Sequence, residues 1–196
     1  MADAAPDTTA DRFRRVAGTF GDVVDRVPDD AWDLQAPCDG WVARDVVVHL
    51  VTWVPFVLGR SGIEIPDGDG AAEDPAGAWW AFAGAVQSAV DDPDVATRRF
   101  DAGPPGEMSV EQAVDMLVVT DVLVHTWDLA TAVGLEADLD EELAAGMLAG
   151  MEPIDEVLRS SGHYGPAVPI DPDAPVVDRL VAFTGRDPAA ARGPHR

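Results

Sequence analysis

Two nearly identical pentapeptides, DVVVH at residues 45–49 and DVLVH at residues 121–125, decide how the rest of the chain is interpreted. Each places an aspartate and a histidine four positions apart within an apolar run. Residues four apart project from the same face of an α-helix, one turn above each other. The spacing therefore predicts two buried helices, each with a carboxylate and an imidazole on one face.

Helical periodicity extends over most of the sequence. Apolar residues recur at helical spacing in segments that predict helices at 8–27, 41–59, 76–91, 110–133, 140–160 and 175–184. Pro55 predicts a kink or an early end in the second helix. Ser109 with Gln112 predicts a capping box for the fourth helix, and Gly134 predicts its end. Strand signals are scarce, and the best is Thr97–Asp101. The pattern predicts an all-α bundle with a short C-terminal helical tail.

The composition excludes several classes of protein. The 196-residue chain carries 36 acidic and 13 basic residues, and its net charge of −23 disfavours nucleic acid as a partner. An apolar fraction of 47% argues against a disordered chain. The longest apolar stretch, residues 46–58, is too short to span a bilayer, and no signal-peptide pattern opens the sequence. We therefore expect a cytoplasmic protein with no membrane partner.

The single cysteine, Cys38, lies in the turn sequence PCDGW. One cysteine permits neither an intramolecular disulfide nor a cysteine-based metal cluster. We interpret Cys38 as a small, partly buried thiol beside the turn.

The polar groups of the two pentapeptides need partners, because an unsatisfied buried polar group costs about 1–3 kcal/mol. In one interpretation each aspartate bonds the histidine of its own pentapeptide, or the pairs lie on a solvated seam. In the other, the groups of both helices converge on one divalent cation in the core. The repetition in two apolar helices favours the cation. Histidine and carboxylate suit Zn²⁺, Ni²⁺ or Fe²⁺ better than Mg²⁺ or Ca²⁺, and three protein ligands leave a position open for chemistry.

Two longer motifs carry a family resemblance. The run W-x5-C-x-G-W-x3-D-x3-H-L from Trp32 to Leu50, followed by D-x3-H-T-W-D-L-A from Asp121 to Ala130, resembles the DinB-like four-helix-bundle superfamily. Within it, the chain is most similar to the metal-binding domain of mycothiol-dependent maleylpyruvate isomerase and its actinobacterial relatives. The resemblance implies a DinB-like bundle over residues 1–163. It also implies a proline-rich C-terminal extension over 164–196, with one short helix packed on the bundle.

The resemblance also implies a set of metal ligands. Matched residue by residue, they are His49, Asp121 and His125. The isomerase often has glutamate where this chain has Asp121, so the shorter side chain requires its helix to lie slightly closer. Asp45 and Asp128 are then candidates to orient the ligand histidines by accepting their second ring N–H. The alternatives are a first-turn acid for Asp45, and a bond to Arg44 or to a backbone group for Asp128.

Other groups are assigned to packing or to the surface. Three tryptophans are predicted to pack in the core rather than to line a pocket: Trp41, Trp53 and Trp127. Three arginines are predicted to be solvated charges rather than contacts of a thiol cofactor: Arg44, Arg98 and Arg99. His163 and Tyr164 are expected to lie away from the metal, and His195 is expected in a frayed terminus.

The function implied by the resemblance is thiol chemistry on a metal. Zn²⁺ lowers the pKa of a bound water toward ~7 and stabilises a bound thiolate. We expect a low-molecular-weight thiol, mycothiol in the resembling family, to be activated for S-transfer to, or isomerisation of, a small electrophile. The alternatives are a non-catalytic bundle that binds a metal or small ligand in sensing or stress response, and metal-free structural pairs. A monomer or a homodimer would serve either role.

Overall fold

The computed structural model describes residues 7–160, 162 and 164–189, and helices dominate them in the predicted order. The helices are α1 (Thr9–Val24), α2 (Ala43–Leu58), α3 (Pro75–Asp91), α4 (Pro93–Ala96), α5 (Val110–Val133), α6 (Glu141–Met151), α7 (Asp155–Ser160) and α8 (Val176–Phe183). One antiparallel ladder pairs β1 (Arg99–Asp101) with β2 (Glu107–Ser109). The prediction of an all-α fold is confirmed, with this short hairpin as its β component.

Four long helices enclose the main core. Helix α1 packs against α3 and α5, and α2 packs against the same two helices from the other side. Each contributes fully buried side chains: Phe13, Phe20, Val46, Leu50, Trp79, Phe82, Leu123 and Leu129. Burial of such a side chain contributes about 1.5–3 kcal/mol, so packing rather than helix propensity holds these helices in place.

Helix α2 continues beyond Pro55. The early end predicted at Pro55 is wrong, because α2 continues to Leu58 and then tightens into a 3-10 turn at Gly59–Ser61. Proline in a helix interior costs about 3 kcal/mol. Val54 and Leu58 beside it are both buried, and the apolar area they remove from water is large enough to offset that cost.

Both ends of α5 lie where the sequence predicted them. The Ser109 hydroxyl accepts from the Gln112 backbone N–H at 3.2 Å, and the Gln112 side chain accepts from the Ser109 N–H at 2.9 Å, which completes a capping box. Gly134 ends the helix with a φ of 70°, a conformation that glycine adopts without a Cβ penalty.

By length and composition helix α5 could cross a membrane, but 67% of its most apolar window is buried in the protein. It is a mostly buried helix of the protein core.

A π-helical turn interrupts α5 at Val114–Val119, directly before Asp121. A π turn holds one more residue than an α turn, so it rotates every later residue about the helix axis. The sequence did not predict this turn. It helps to set the direction in which Asp121 and His125 point.

The C-terminal part departs from the prediction in one respect. The helix predicted at 140–160 is divided into α6 and α7 by a 3-10 turn at Glu152–Ile154, because Pro153 lacks the N–H that an α-helix would need there. Helix α8 packs on α6. The domain boundary predicted after residue 163 stays a prediction, and His163 itself lies outside the described residues.

Candidate metal centre

The three predicted ligands lie together between α2 and α5. His49 Nε2 is 3.2 Å from Asp121 Oδ2, and His125 Nε2 is 3.4 Å from Asp121 Oδ1. One nitrogen or oxygen from each of the three residues lies within 4.8 Å of the others. Ligands at Zn²⁺ distances of about 2.0–2.2 Å in a tetrahedron are separated by ~3.3 Å. Each of the two measured separations is close to that value, although His49 faces Oδ2 of Asp121 and His125 faces Oδ1.

The interpretation in which each aspartate bonds the histidine of its own pentapeptide holds for residues 121–125 but not for residues 45–49. Asp121 does approach His125 in its own helix, but His49 turns to Asp121 rather than to Asp45. Asp45 accepts from the Val42 backbone N–H at 2.9 Å, at the start of α2. Asp45 therefore has the alternative role, a first-turn acid, and not the predicted role of orienting a histidine. The reason is its position in the first turn of α2, where backbone N–H groups without a helical partner bind its carboxylate.

Trp53 fixes the carboxylate at the centre. Its Nε1–H donates to Asp121 Oδ2 at 2.8 Å, one helical turn beyond His49. Asp121 therefore receives contacts from His49, Trp53 and His125, and its two oxygens are held in defined directions. The sequence predicted Trp53 to be a packing residue, and its indole N–H shows that it is also a polar contact of the site.

Asp128 lies behind His125, on the side away from Asp121. Its Oδ2 is 2.8 Å from His125 Nδ1, and the side chain is fully buried. A carboxylate in this position keeps the proton on Nδ1, which leaves Nε2 directed toward Asp121 and available to a cation. The candidate partner Arg44 lies elsewhere, because its guanidinium contacts Asp33 at 2.8 Å.

Two residues that the sequence did not assign to the site complete the surroundings of Asp128. Arg186, just after α8, donates from Nε to Oδ1 at 3.1 Å and from Nη2 to Oδ2 at 2.8 Å. Cys38 Sγ lies 3.3 Å from Asp128 Oδ2 and 3.4 Å from Arg186 Nη2. Cys38 is partly buried, as predicted. Its place in the C-x-G-W motif was a signal for proximity to the site, whereas Arg186 had none in its local sequence.

Burial and charge act against each other on the ionisable groups. Burial raises the pKa of Asp121, but the charge of His125 and the hydrogen bonds from His49 and Trp53 outweigh it, so the net pKa is below the ordinary value. Burial lowers the pKa of His125, yet Asp121 and Asp128 together raise it to about 10. Burial also raises the pKa of Asp128, but the hydrogen bonds and charges of His125 and Arg186 outweigh it and lower that pKa to about 2. These pKa shifts favour the anionic form of the two aspartates and the cationic form of His125.

Tryptophan rings flank the two histidines. The Trp41 ring centroid is 4.9 Å from that of His49 and 5.7 Å from that of His125, and Trp53 is 6.1 Å from His49. Trp41 and Trp53 are half-buried and pack against the core, whereas Trp127 is buried as predicted. The His49 and Asp121 side chains remain 31% and 26% exposed, so one side of the centre is open.

The remaining predictions concern residues farther along the chain. Arg98 donates to the Ser61 carbonyl and Arg99 to Glu107, so these two arginines, like Arg44, contact groups other than the candidate ligands. Burial raises the pKa of Tyr164, and the charge of Asp121 raises it further. The expectation that Tyr164 lies away from the metal stays a prediction. His163 and His195 lie outside the described residues.

The site and the fold define an all-α protein with a two-histidine, one-carboxylate cluster between two core helices. The chain is 32% identical over 182 residues to Uncharacterized protein Rv0738 and to Uncharacterized protein MT0763, from two strains of Mycobacterium tuberculosis. Each match covers 88% of this chain and 94% of the relative. The chain belongs to the family of these mycobacterial proteins. No family model matches it, and no solved structure matches it significantly.

Proposed function

We propose that this protein is a DinB-like four-helix bundle that binds one divalent metal ion through His49, Asp121 and His125. Zn²⁺ is the first choice because two imidazoles and one carboxylate form a borderline donor set that leaves a coordination position open, and Ni²⁺ and Fe²⁺ share that preference. The similarity of Trp32–Leu50 and Asp121–Ala130 to the metal-binding domain of mycothiol-dependent maleylpyruvate isomerase supports the same assignment.

The observation that carries the proposal is the double contact of Asp121. Its two oxygens face one imidazole nitrogen from each of two helices, at 3.2 Å and 3.4 Å. One cation bound by a nitrogen of each imidazole and by the carboxylate would link all three side chains. The orientation of both partners by further groups, Trp53 for Asp121 and Asp128 for His125, is the support that metal ligands typically receive.

The proposed activity is the activation of a low-molecular-weight thiol, mycothiol in the resembling family, for S-transfer to or isomerisation of a small electrophile. A bound Zn²⁺ would stabilise the thiolate form of such a thiol. The protein would hold the cation with three side chains, direct His125 Nε2 toward it through the Asp128 contact at Nδ1, and limit water on one side with Trp41 and Trp53. The open side beside His49 and Asp121 would admit the thiol and the electrophile.

The expected setting of this activity is the cytoplasm, with small molecules as partners and neither nucleic acid nor membrane. The monomer and the homodimer are both compatible with it. The net charge of −23 supports the exclusion of nucleic acid, since a phosphate backbone would be repelled.

Elemental analysis of the purified protein tests the metal. We expect about one equivalent of Zn²⁺ or another first-row metal in the wild type, and loss of that metal in His49→Ala and in His125→Ala. His195→Ala removes a histidine that the proposal does not use and should keep the full metal content. Retention of metal in both site variants would refute the ligand assignment, provided that circular dichroism shows all four proteins folded.

A thiol-transfer assay tests the chemistry separately. The metal-loaded protein is incubated with mycothiol and a chlorinated aromatic or an epoxide, and the thioether product is measured by mass spectrometry. Product that requires the thiol, the metal and His49 would support the enzyme. Stoichiometric metal without any transfer would favour the second candidate, a non-catalytic metal- or ligand-binding bundle in sensing or stress response.

A further inference from the structure

We propose that Arg186 is a positioning residue of the metal centre, which acts on the ligand His125 through Asp128. The proposal rests on the proposed function in one respect, namely that His125 binds the metal. It adds that the segment after α8 forms part of the centre, although this segment is about sixty residues away in sequence from His125 and supplies no ligand itself.

The contact between Arg186 and Asp128 is a two-point ion pair. Nε donates to one carboxylate oxygen at 3.1 Å and Nη2 donates to the other at 2.8 Å. The Asp128 side chain is fully buried and that of Arg186 is only 14% exposed. Two parallel bonds to a planar group fix the plane of the carboxylate as well as its position. The same Oδ2 then receives His125 Nδ1 at 2.8 Å, so the plane of the carboxylate sets the direction of the imidazole.

The charge of Arg186 is needed for this arrangement. Without Arg186, the buried Asp128 carboxylate would lose both of the bonds that fix its plane, and desolvation of its charge would favour a shift toward water. A displaced Asp128 would no longer hold His125 Nδ1 in its present direction. The imidazole would then lose the group that keeps its other nitrogen directed at Asp121. Loss of Arg186 should therefore weaken metal binding even though Arg186 does not touch the metal.

The backbone of Arg186 is itself well placed for this role. Its N–H donates to the Val181 carbonyl in the last part of α8 at 2.9 Å, and its Nη1 donates to the Thr184 carbonyl at 3.2 Å. These bonds anchor the guanidinium to the end of a helix that packs on α6. Cys38 Sγ, from the segment before α2, lies 3.4 Å from Nη2. The ion pair therefore joins three separate parts of the chain at one ligand.

The test measures affinity and ligand geometry rather than activity. Metal-free wild type, Arg186→Gln, Arg186→Lys and Asp128→Asn are titrated with Co²⁺, whose visible absorption reports the number and geometry of its ligands. Groups that orient a ligand histidine typically change metal affinity by about 10–100-fold. We expect Arg186→Gln to bind Co²⁺ about 10-fold more weakly with an altered spectrum. Arg186→Lys should fall between, because lysine restores the charge but not the two parallel bonds.

A double variant separates positioning from general stability. If Arg186 acts through Asp128, then Asp128→Asn with Arg186→Gln should bind Co²⁺ no more weakly than Asp128→Asn alone. The double variant also removes both buried charges together, so it is the form to measure should Arg186→Gln fail to fold. Arg179→Gln, in α8, removes an arginine that lies 4.0 Å from Glu152 and should leave affinity and spectrum unchanged.

Three outcomes would overturn the proposal. Arg186→Gln with wild-type Co²⁺ affinity and spectrum would show that the ion pair does not reach the metal. Additive losses in the double variant would show that Arg186 acts by another route. A wild type that binds no Co²⁺ would remove the metal and the proposed function with it, whereas the first two outcomes leave that function intact.

Discussion

The indole N–H of Trp53 lies 2.8 Å from Asp121 Oδ2, across the interface between α2 and α5. The same oxygen is 3.2 Å from His49 Nε2, one turn earlier on α2. One helix therefore supplies a candidate ligand and the hydrogen bond that orients the ligand on the facing helix. A half-buried tryptophan, which a sequence pattern assigns to packing, here determines the direction of a carboxylate.

Trp53→Phe should weaken metal binding by about 10-fold, because Asp121 keeps its place but loses the donor that fixes Oδ2. The measurement is a competition titration of Zn²⁺ against a chromophoric chelator. Trp80→Phe is the matched control, since Trp80 Nε1 donates to Asp25 at 3.0 Å on an exposed part of the surface. Equal affinities for the two variants would show that the indole bond does not support the centre.

The metal-free protein should lose stability as the pH rises from 6.5 to about 10. The folded-state pKa of His125 is raised from 6.5 to about 10, so its contribution is complete below pH 6.5 and lost as the pH passes through about 10. The slope is at most about 1.4 kcal/mol per pH unit for one proton. Thermal unfolding in EDTA measures it. His125→Gln should abolish most of the slope, and an unchanged slope in that variant would contradict the assignment.

Asp45→Ala should lower the free energy of unfolding by about 0.5–2 kcal/mol without a change in metal affinity. Asp45 accepts from the Val42 N–H at the first turn of α2, so its removal exposes a helix end rather than a ligand. Urea unfolding and a Zn²⁺ titration are the two measurements. Asp30→Ala, which removes an exposed acid of the preceding loop, should alter neither quantity. A loss of affinity in Asp45→Ala would restore the orienting role.

Gly68→Ala should destabilise the protein more than Gly70→Ala. Both glycines have positive φ, 77° and 79°, and an alanine there costs about 1–2 kcal/mol of backbone strain. Only at Gly68 would the new Cβ also overlap with α2, at 2.6 Å from Val51 Cγ2 and 2.8 Å from the Val51 carbonyl oxygen. At Gly70 nothing lies within 4 Å. Equal losses in urea unfolding would show that the loop moves freely away from α2.

Much of the helical framework could be predicted because its signals are local. The periodicity of apolar residues defined α1, α2, α3 and α5 to within a few residues, and the capping box at Ser109 and the glycine at position 134 defined the ends of α5. Prolines were less informative. Pro55 was expected to kink or end a helix that continues to Leu58, and Pro153 interrupts one that was expected to be continuous.

The candidate site was predictable in part for the same reason. His49, Asp121 and His125 stand out as polar groups in apolar helices, and the structure brings them together. The separate roles of Asp45 and Asp128 could not be assigned, because each depends on which backbone or side-chain group happens to lie opposite. The π turn before Asp121 also had no local signal, since it is selected by how α5 packs rather than by a residue preference.

The sequence by itself determined that apolar helices form and that two of them carry acid–histidine pairs, since helix periodicity and burial depend on the order of residues alone. Only the tertiary structure decided that His49 turns away from its own Asp45 to Asp121, and that Arg186 from the end of the chain pairs with Asp128. Contacts between segments depend on the rotation and separation of packed helices, and no local pattern of residues specifies those quantities.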